Sequence, residues 1–247
     1  MIMHDWNIDR KDAVLIIHPM GASAENMKKL LIDRMGDGLR YIVPDLSAHG
    51  EAAESTYENA DKEAEEICSY LRGNDLLKLK LAYGASLGGV ILLRLIGKKD
   101  VEADHCFFEG TSFLTDSAFF EKFNSFVFLK MRSKGLKKPE SLVKIMEKSN
   151  GKEFGKDFAD HLTAMSEASI RNMVHDCGYV VLPKLNSEKQ SRCIFAYGSK
   201  ETNYKKAKKL IPEMYPDAKL CVWEGYSHCG RLMLDTDQYA AMLKQLV

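Results

Sequence analysis

Leu79-Lys80-Leu81-Ala82-Tyr83-Gly84-Ala85-Ser86-Leu87-Gly88, followed by Gly89-Val90-Ile91-Leu92-Leu93-Arg94-Leu95-Ile96, is the stretch on which the reading of this chain turns. Residues 79–83 form an apolar run of strand type, and residues 89–96 carry apolar side chains at helical spacing. Between them, residues 84–88 fit Gly-x-Ser-x-Gly, which places a serine at a sharp strand-to-helix turn. Such a turn strains the serine backbone and exposes its hydroxyl, while the small flanking glycines let neighbouring backbone come close. A chance Gly-Ser-Gly turn would need neither the strand before it nor the apolar helix after it. Ser86 is therefore the candidate nucleophile.

Outward from this turn, short aliphatic runs alternate with longer amphipathic ones, the pattern of βα units on a mostly parallel sheet. The expected strands are residues 14–18, 41–44, 79–83, 103–109, 193–197 and 220–223, with a weaker edge strand over 3–8. Residues 24–35, 59–72 and 87–96 have helical spacing, and a last helix runs through Tyr239, Met242, Leu243 and Leu246. Residues 111–190 break the alternation. They are rich in Phe, Met and Lys and contain no convincing strand. Phe119, Phe120, Phe123, Phe126, Val127 and Leu129 make an unusually apolar helix, and 141–148 and 154–165 suggest two more. So long a strandless segment points to a helical insertion that caps a binding site, although crossover helices packed on the sheet would share the composition. The expected organisation is a core of residues 1–110 and 191–247 with a cap over 111–190.

At 247 residues one domain is expected, and its 35 basic and 35 acidic residues cancel. Nothing favours nucleic acid or an anionic membrane as partner, so a small molecule is expected. Lys205, Lys206, Lys208 and Lys209 read as the wet face of a helix. The first ten residues lack the apolar centre of a secretory signal, and no stretch approaches membrane-spanning length. Six cysteines without a CxxC pair fit a reducing cytoplasm. Neither HExxH nor HxxEH spacing is present, and Gly84 to Gly88 lacks both the P-loop Lys-Ser/Thr and a third dinucleotide-binding glycine. No metal and no cofactor is expected.

A serine hydroxyl is a weak nucleophile at neutral pH and needs a base, which in turn needs a group to fix its tautomer. Of the seven histidines, His4 and His49 lie early, His105 falls in a strand, and His161 and His175 fall in the insertion. His228 follows the last strand in a loop that opens on the same carboxyl edge as Ser86, and it is the candidate base. Glu201 leaves an intermediate strand in Gly198-Ser199-Lys200-Glu201 and is the leading acid, with Glu109 as the alternative and Asp176 as a further rival. Acyl transfer also needs N–H donors for the oxyanion. Leu87 is one candidate. The turn His18-Pro19-Met20-Gly21 supplies the other, and because proline has no N–H, Met20 is the better donor. His18 fits a bracing role in that loop as well as a contact with substrate.

With these motifs in this order, the chain resembles the α/β-hydrolase family over nearly all its length outside 111–190. His18 to Gly21 resembles the oxyanion turn, and Pro44-Asp45-Leu46-Ser47-Ala48-His49-Gly50 the Pro-Asp-…-His-Gly loop. Gly84 to Gly88 resembles the nucleophile elbow, Gly198 to Glu201 the acid turn and Gly225 to His228 the histidine loop. Glu201 stands where aspartate is commoner, and Cys229 where glycine often follows the histidine. The resemblance implies an α/β-hydrolase fold with a helical cap, a Ser86–His228–Glu201 triad and oxyanion amides from Met20 and Leu87. It implies hydrolysis of a small carboxylic ester through an acyl-serine intermediate. The same residues would serve a thioesterase, a lactonase or a C–C bond hydrolase, and a ligand-binding or sensing protein could keep the pocket with little turnover.

Overall fold

The computed structural model describes residues 1–98 and 100–247, apart from the side chains at 149, 150 and 153. Seven strands form one sheet: β1 (Ile2–Trp6), β2 (Ala13–Ile17), β3 (Arg40–Asp45), β4 (Lys78–Ala85), β5 (Glu102–Glu109), β6 (Cys193–Gly198) and β7 (Lys219–Trp223). Their spatial order is β1-β3-β2-β4-β5-β6-β7. Only β1 runs antiparallel, pairing Ile2 with Asp45 and Trp6 with Tyr41 along β3. The strands lie within two residues of their expected bounds, and the edge strand is real but ends at Trp6.

Central strands of such a sheet are covered on both faces, which is why β2 reads Ala-Val-Leu-Ile-Ile and is buried throughout. Side chains alternate across it. Ala13, Leu15 and Ile17 enter one core with α3 (Ala60–Gly73) and α4 (Leu87–Ile96). Val14 and Ile16 enter a second core with α1 (Ala24–Met27), the π-helical turn Lys28–Ile32 and α2 (Asp33–Met35). Burial of each such aliphatic side chain contributes on the order of 1.5–3 kcal/mol.

Between β5 and β6 the chain runs through α5 (Ala118–Lys137), α6 (Pro139–Ala164), α7 (Glu167–Gly178) and α8 (Ser187–Ser191), with no strand among the described residues of that segment. The two helices expected at 141–148 and 154–165 are parts of α6, broken at Gly151, whose φ of 78° only glycine adopts readily. The apolar helix around Phe119 is also more divided than its composition suggests. Phe120 and Phe128 turn inward, whereas Phe119 is 81% exposed and Phe123 and Phe126 also face outward. The last elements are α9 (Thr202–Met214), α10 (Gly230–Leu234) and α11 (Thr236–Lys244), which ends before Leu246. Among the described residues no helix is long and apolar enough to cross a membrane.

Helix α7 is fastened to the sheet domain by polar contacts. Asp176 accepts from the Tyr57 hydroxyl at 2.8 Å and from the Ala60 amide at 2.7 Å, and Ser169 accepts from the Tyr57 amide at 3.1 Å. Tyr57 is fully buried, so its hydroxyl has no water to replace a lost partner. Asp176→Ala should lower the unfolding free energy by roughly 2–4 kcal/mol, because two buried donors lose their acceptor. Urea unfolding measures this, and a loss below about 1 kcal/mol would mean that these bonds do not hold α7.

Candidate active site

The turn between β4 and α4 carries Ser86 at φ 51° and ψ −111°. This left-handed backbone costs a non-glycine residue on the order of 1–3 kcal/mol and persists because its surroundings enforce it. The Ser86 amide donates to the Glu109 carbonyl at 2.8 Å, and the Ser86 carbonyl accepts from the Gly89 and Val90 amides of α4. The loop after β2 passes so close that a Cβ on Gly88 would lie 2.2 Å from the Ile17 carbonyl oxygen, which explains the second glycine of the motif.

Two further loops leave the same edge and are tied to each other. The Ser199 amide donates to the Trp223 carbonyl at 2.9 Å, and the Lys200 amide to the Tyr226 carbonyl at 3.0 Å. They carry Glu201 and His228. Glu201 is 5% exposed and fully engaged: Oε1 accepts from the Gly198 amide at 2.6 Å, and Oε2 lies 2.7 Å from His228 Nδ1. With its proton on Nδ1, the imidazole leaves Nε2 free to accept from the Ser86 hydroxyl, 2.9 Å away. Crowding by surrounding protein opposes a charge on the His228 ring, which keeps 44% exposure, yet contact with Cys229 and with the Glu201 carboxyl raises its pKa well above 6.5.

Of the other proposed acids, neither reaches the imidazole. Asp176 is engaged by Tyr57 and Ala60. Glu109 is fully buried, its Oε2 accepting from Trp223 Nε1 at 3.2 Å and the Tyr239 hydroxyl at 3.0 Å. Burial, with the charge of Glu201 adding to it, pushes its carboxyl up to about 7. Its neighbour Gly110, at φ 61°, lies under the imidazole, and a Cβ there would stand 2.8 Å from His228 Cε1.

Met20 and Leu87 line the cavity beside Ser86, and among the described residues neither amide donates to another group. Leu87 is the first residue of α4, where a helix leaves its amides without internal acceptors. The loop bearing Met20 is braced by three imidazoles. His18 Nδ1 donates to the Pro19 carbonyl at 2.8 Å, and His18 Nε2 accepts from the Leu46 amide at 3.1 Å. His49 Nε2 accepts from the Gly21 amide at 3.1 Å, while its Nδ1 donates to the Ser47 carbonyl at 3.0 Å. His161, reaching down from α6, lies 2.9 Å from the Gly21 carbonyl. His18 is thus a brace, not a wall of the cavity. Asp45 completes the frame, accepting from the Ala24 amide at 2.7 Å and the Glu51 amide at 2.8 Å. His161 and Gly110 carry no sequence motif, since each acts through its place in space. His49 stood in a motif whose mechanical role was not evident.

A seven-stranded sheet in this order, with a serine elbow after β4 and a histidine loop after β7, is the α/β-hydrolase fold. Solved structures of that fold align over almost the whole chain. A Desulfitobacterium hafniense protein assigned to the α/β-hydrolase family matches with a TM-score of 0.76 and 13% identity, covering 99% of both chains. A carboxylesterase of the thaumarchaeon Nitrososphaera gargenis matches at 0.74 and 15%, covering 99% of this chain and 93% of its own. The meta-cleavage product hydrolase of Pseudomonas fluorescens matches at 0.68 and 16%, covering 99% and 92%. No protein-family model matches the sequence, and no curated protein does either.

Burial holds His18 down to about 3 and His49 well below 6.5, so both stay neutral when folded but protonate near 6.5 once unfolded. The unfolded chain therefore binds more protons on acidification, and stability is lost as pH falls below 6.5. Each histidine should contribute a slope of roughly 1.4 kcal/mol per pH unit. His49→Gln offers Gly21 an acceptor that cannot charge, and should remove about one proton from the slope of urea-unfolding free energy between pH 6 and 5. An unchanged slope would show that His49 is not held neutral.

Proposed function

We propose that this chain is a serine hydrolase that cleaves small carboxylic esters, with Ser86, His228 and Glu201 as its triad. The observation that carries the reading is the chain of contacts from Glu201 Oε2 through His228 to Ser86 Oγ, at 2.7 and 2.9 Å, opening on a cavity lined by Met20 and Leu87. His228 takes the Ser86 proton as Oγ attacks the ester carbonyl, and Glu201 stabilises the imidazolium. The Met20 and Leu87 amides hold the oxyanion. His228 then protonates the departing alcohol, and in the second half it activates the water that releases the acid. Helices α5 to α7 act as a cap, contributing Phe120, Phe128, Met146, Phe158, Leu162 and Met173 to the walls around Ser86. Walls of this kind favour aliphatic or aromatic groups over sugars.

A fluorophosphonate probe should label wild type on Ser86 alone, as read by peptide mass spectrometry, and should leave folded Ser86→Ala unmodified. Folded wild type without label would favour a ligand-binding protein with this fold. Against an aryl ester, Ser86→Ala and His228→Ala should lower kcat by about 10⁴-fold or more, and Glu201→Ala roughly ten- to a hundredfold less severely.

The rate should also report the state of His228. Because the base must be neutral, kcat/KM should rise with pH through a midpoint above 6.5. Glu201→Gln removes the charge that favours imidazolium, so the midpoint should move to lower pH. A midpoint that stays in place would detach Glu201 from the base.

A further inference from the structure

Ser86 and His228 stand where two cavities of different chemistry meet. The first, about 270 Å³, is walled by Met27, Met131, Phe158, Leu162 and Met233 among others. Apart from the Cys229 thiol, its only polar side chains among the described residues are Ser86 and His228. The second, about 380 Å³, shares Met20 and Phe128 with the first but presents Asn124, Lys200, Thr202 and Asn203. Its charges are unequal in availability. Both Glu201 oxygens are engaged, whereas Lys200 has no ion-pair or hydrogen-bond partner for its side chain among the described residues. The Lys200 amide is held to the Tyr226 carbonyl at 3.0 Å, which fixes the root of this exposed, flexible side chain beside Glu201 and His228.

Resting on the hydrolase reading above, we propose that the substrate is a two-armed ester. Its apolar acyl group fills the methionine-lined cavity, and its alcohol portion carries a carboxylate received by Lys200 with the Asn203 and Asn124 amides. A carboxylate in the first cavity would lose its hydration with nothing to replace it, so the charge belongs in the second. Asn124 Nδ2 already gives one N–H to the Phe120 carbonyl at 2.9 Å, and its second N–H, with that of Asn203 and the ammonium, suits the two oxygens of one carboxylate. Which arm carries the charge follows from the second half-reaction. Once Ser86 Oγ has bonded the carbonyl carbon and the C–O bond to the alcohol has broken, that alcohol leaves with the proton held by His228. Water must then reach His228 from the side the alcohol vacated, and only the second cavity is polar enough to admit it.

The test compares two matched esters, 3-(carboxymethyl)phenyl hexanoate and its neutral carboxamide, 3-(carbamoylmethyl)phenyl hexanoate. The methylene insulates the phenol, so the two alcohols leave equally well. Wild type should favour the carboxylate in kcat/KM by about three- to tenfold at low salt, and the preference should shrink as salt screens it. Lys200→Gln should bring the ratio to about one and Lys200→Glu should invert it, while Lys206→Gln, on the exposed face of α9, keeps the wild-type ratio. Turnover of the neutral ester without a preference, or a preference that survives Lys200→Gln, overturns the inference alone. No turnover of either ester, with no fluorophosphonate label, overturns the hydrolase reading and the inference with it.

Discussion

The 2.8 Å hydrogen bond from the Ser86 amide to the Glu109 carbonyl joins the end of β4 to the end of β5, and the site is built outward from it. It holds the serine in a backbone conformation it would not choose alone. It also fixes where β5 must stop, because Gly110 follows at once and its missing side chain is the floor on which the His228 ring rests. From β5 the register passes through β6, where Glu109 pairs with Ala196, to β7, where Gly198 pairs with Trp223. A slip of one residue along any of these strands would turn inward side chains outward and carry Glu201 or His228 away from Ser86.

The opposite side of the site is held by different means. Three imidazoles hold the turn after β2 and, from the end of β3, one carboxylate, each bonding backbone. At His18 and His49 neutral imidazole suits this work because it donates at one nitrogen and accepts at the other. His161 belongs to α6, so the frame of the turn includes a helix from outside the sheet domain. The placement of the Met20 amide and the seating of α6 are therefore mechanically linked.

Much of this could be read before any coordinates. Strand positions are legible because a buried parallel strand is a nearly continuous apolar run, as Val14 to Ile17 and, but for Lys80, Leu79 to Tyr83 are. That Ser86, His228 and Glu201 come together is legible because each follows a strand end within a short turn. Residues 111–190 were not legible in the same detail. Helical spacing shows that α6 turns, but not that Gly151 breaks it without ending it, and the Phe-rich start of α5 conceals that Phe119, Phe123 and Phe126 face outward. Its place at the end of a strand makes Glu109 a candidate acid. Its actual partners, Trp223 and Tyr239, lie more than a hundred residues downstream, beyond what local pattern can reach.

The contact between Ser86 and His228 spans 142 residues of chain, and the segment between β5 and β6 accounts for over half of that separation. Closing so long a loop is entropically costly, and non-local pairings of this kind slow folding. The elbow can form with β4, α4 and β5 while the acid and the base are still distant. His228 follows β7, the last strand in the chain, so its contact with Ser86 requires the whole far half of the sheet to be in place.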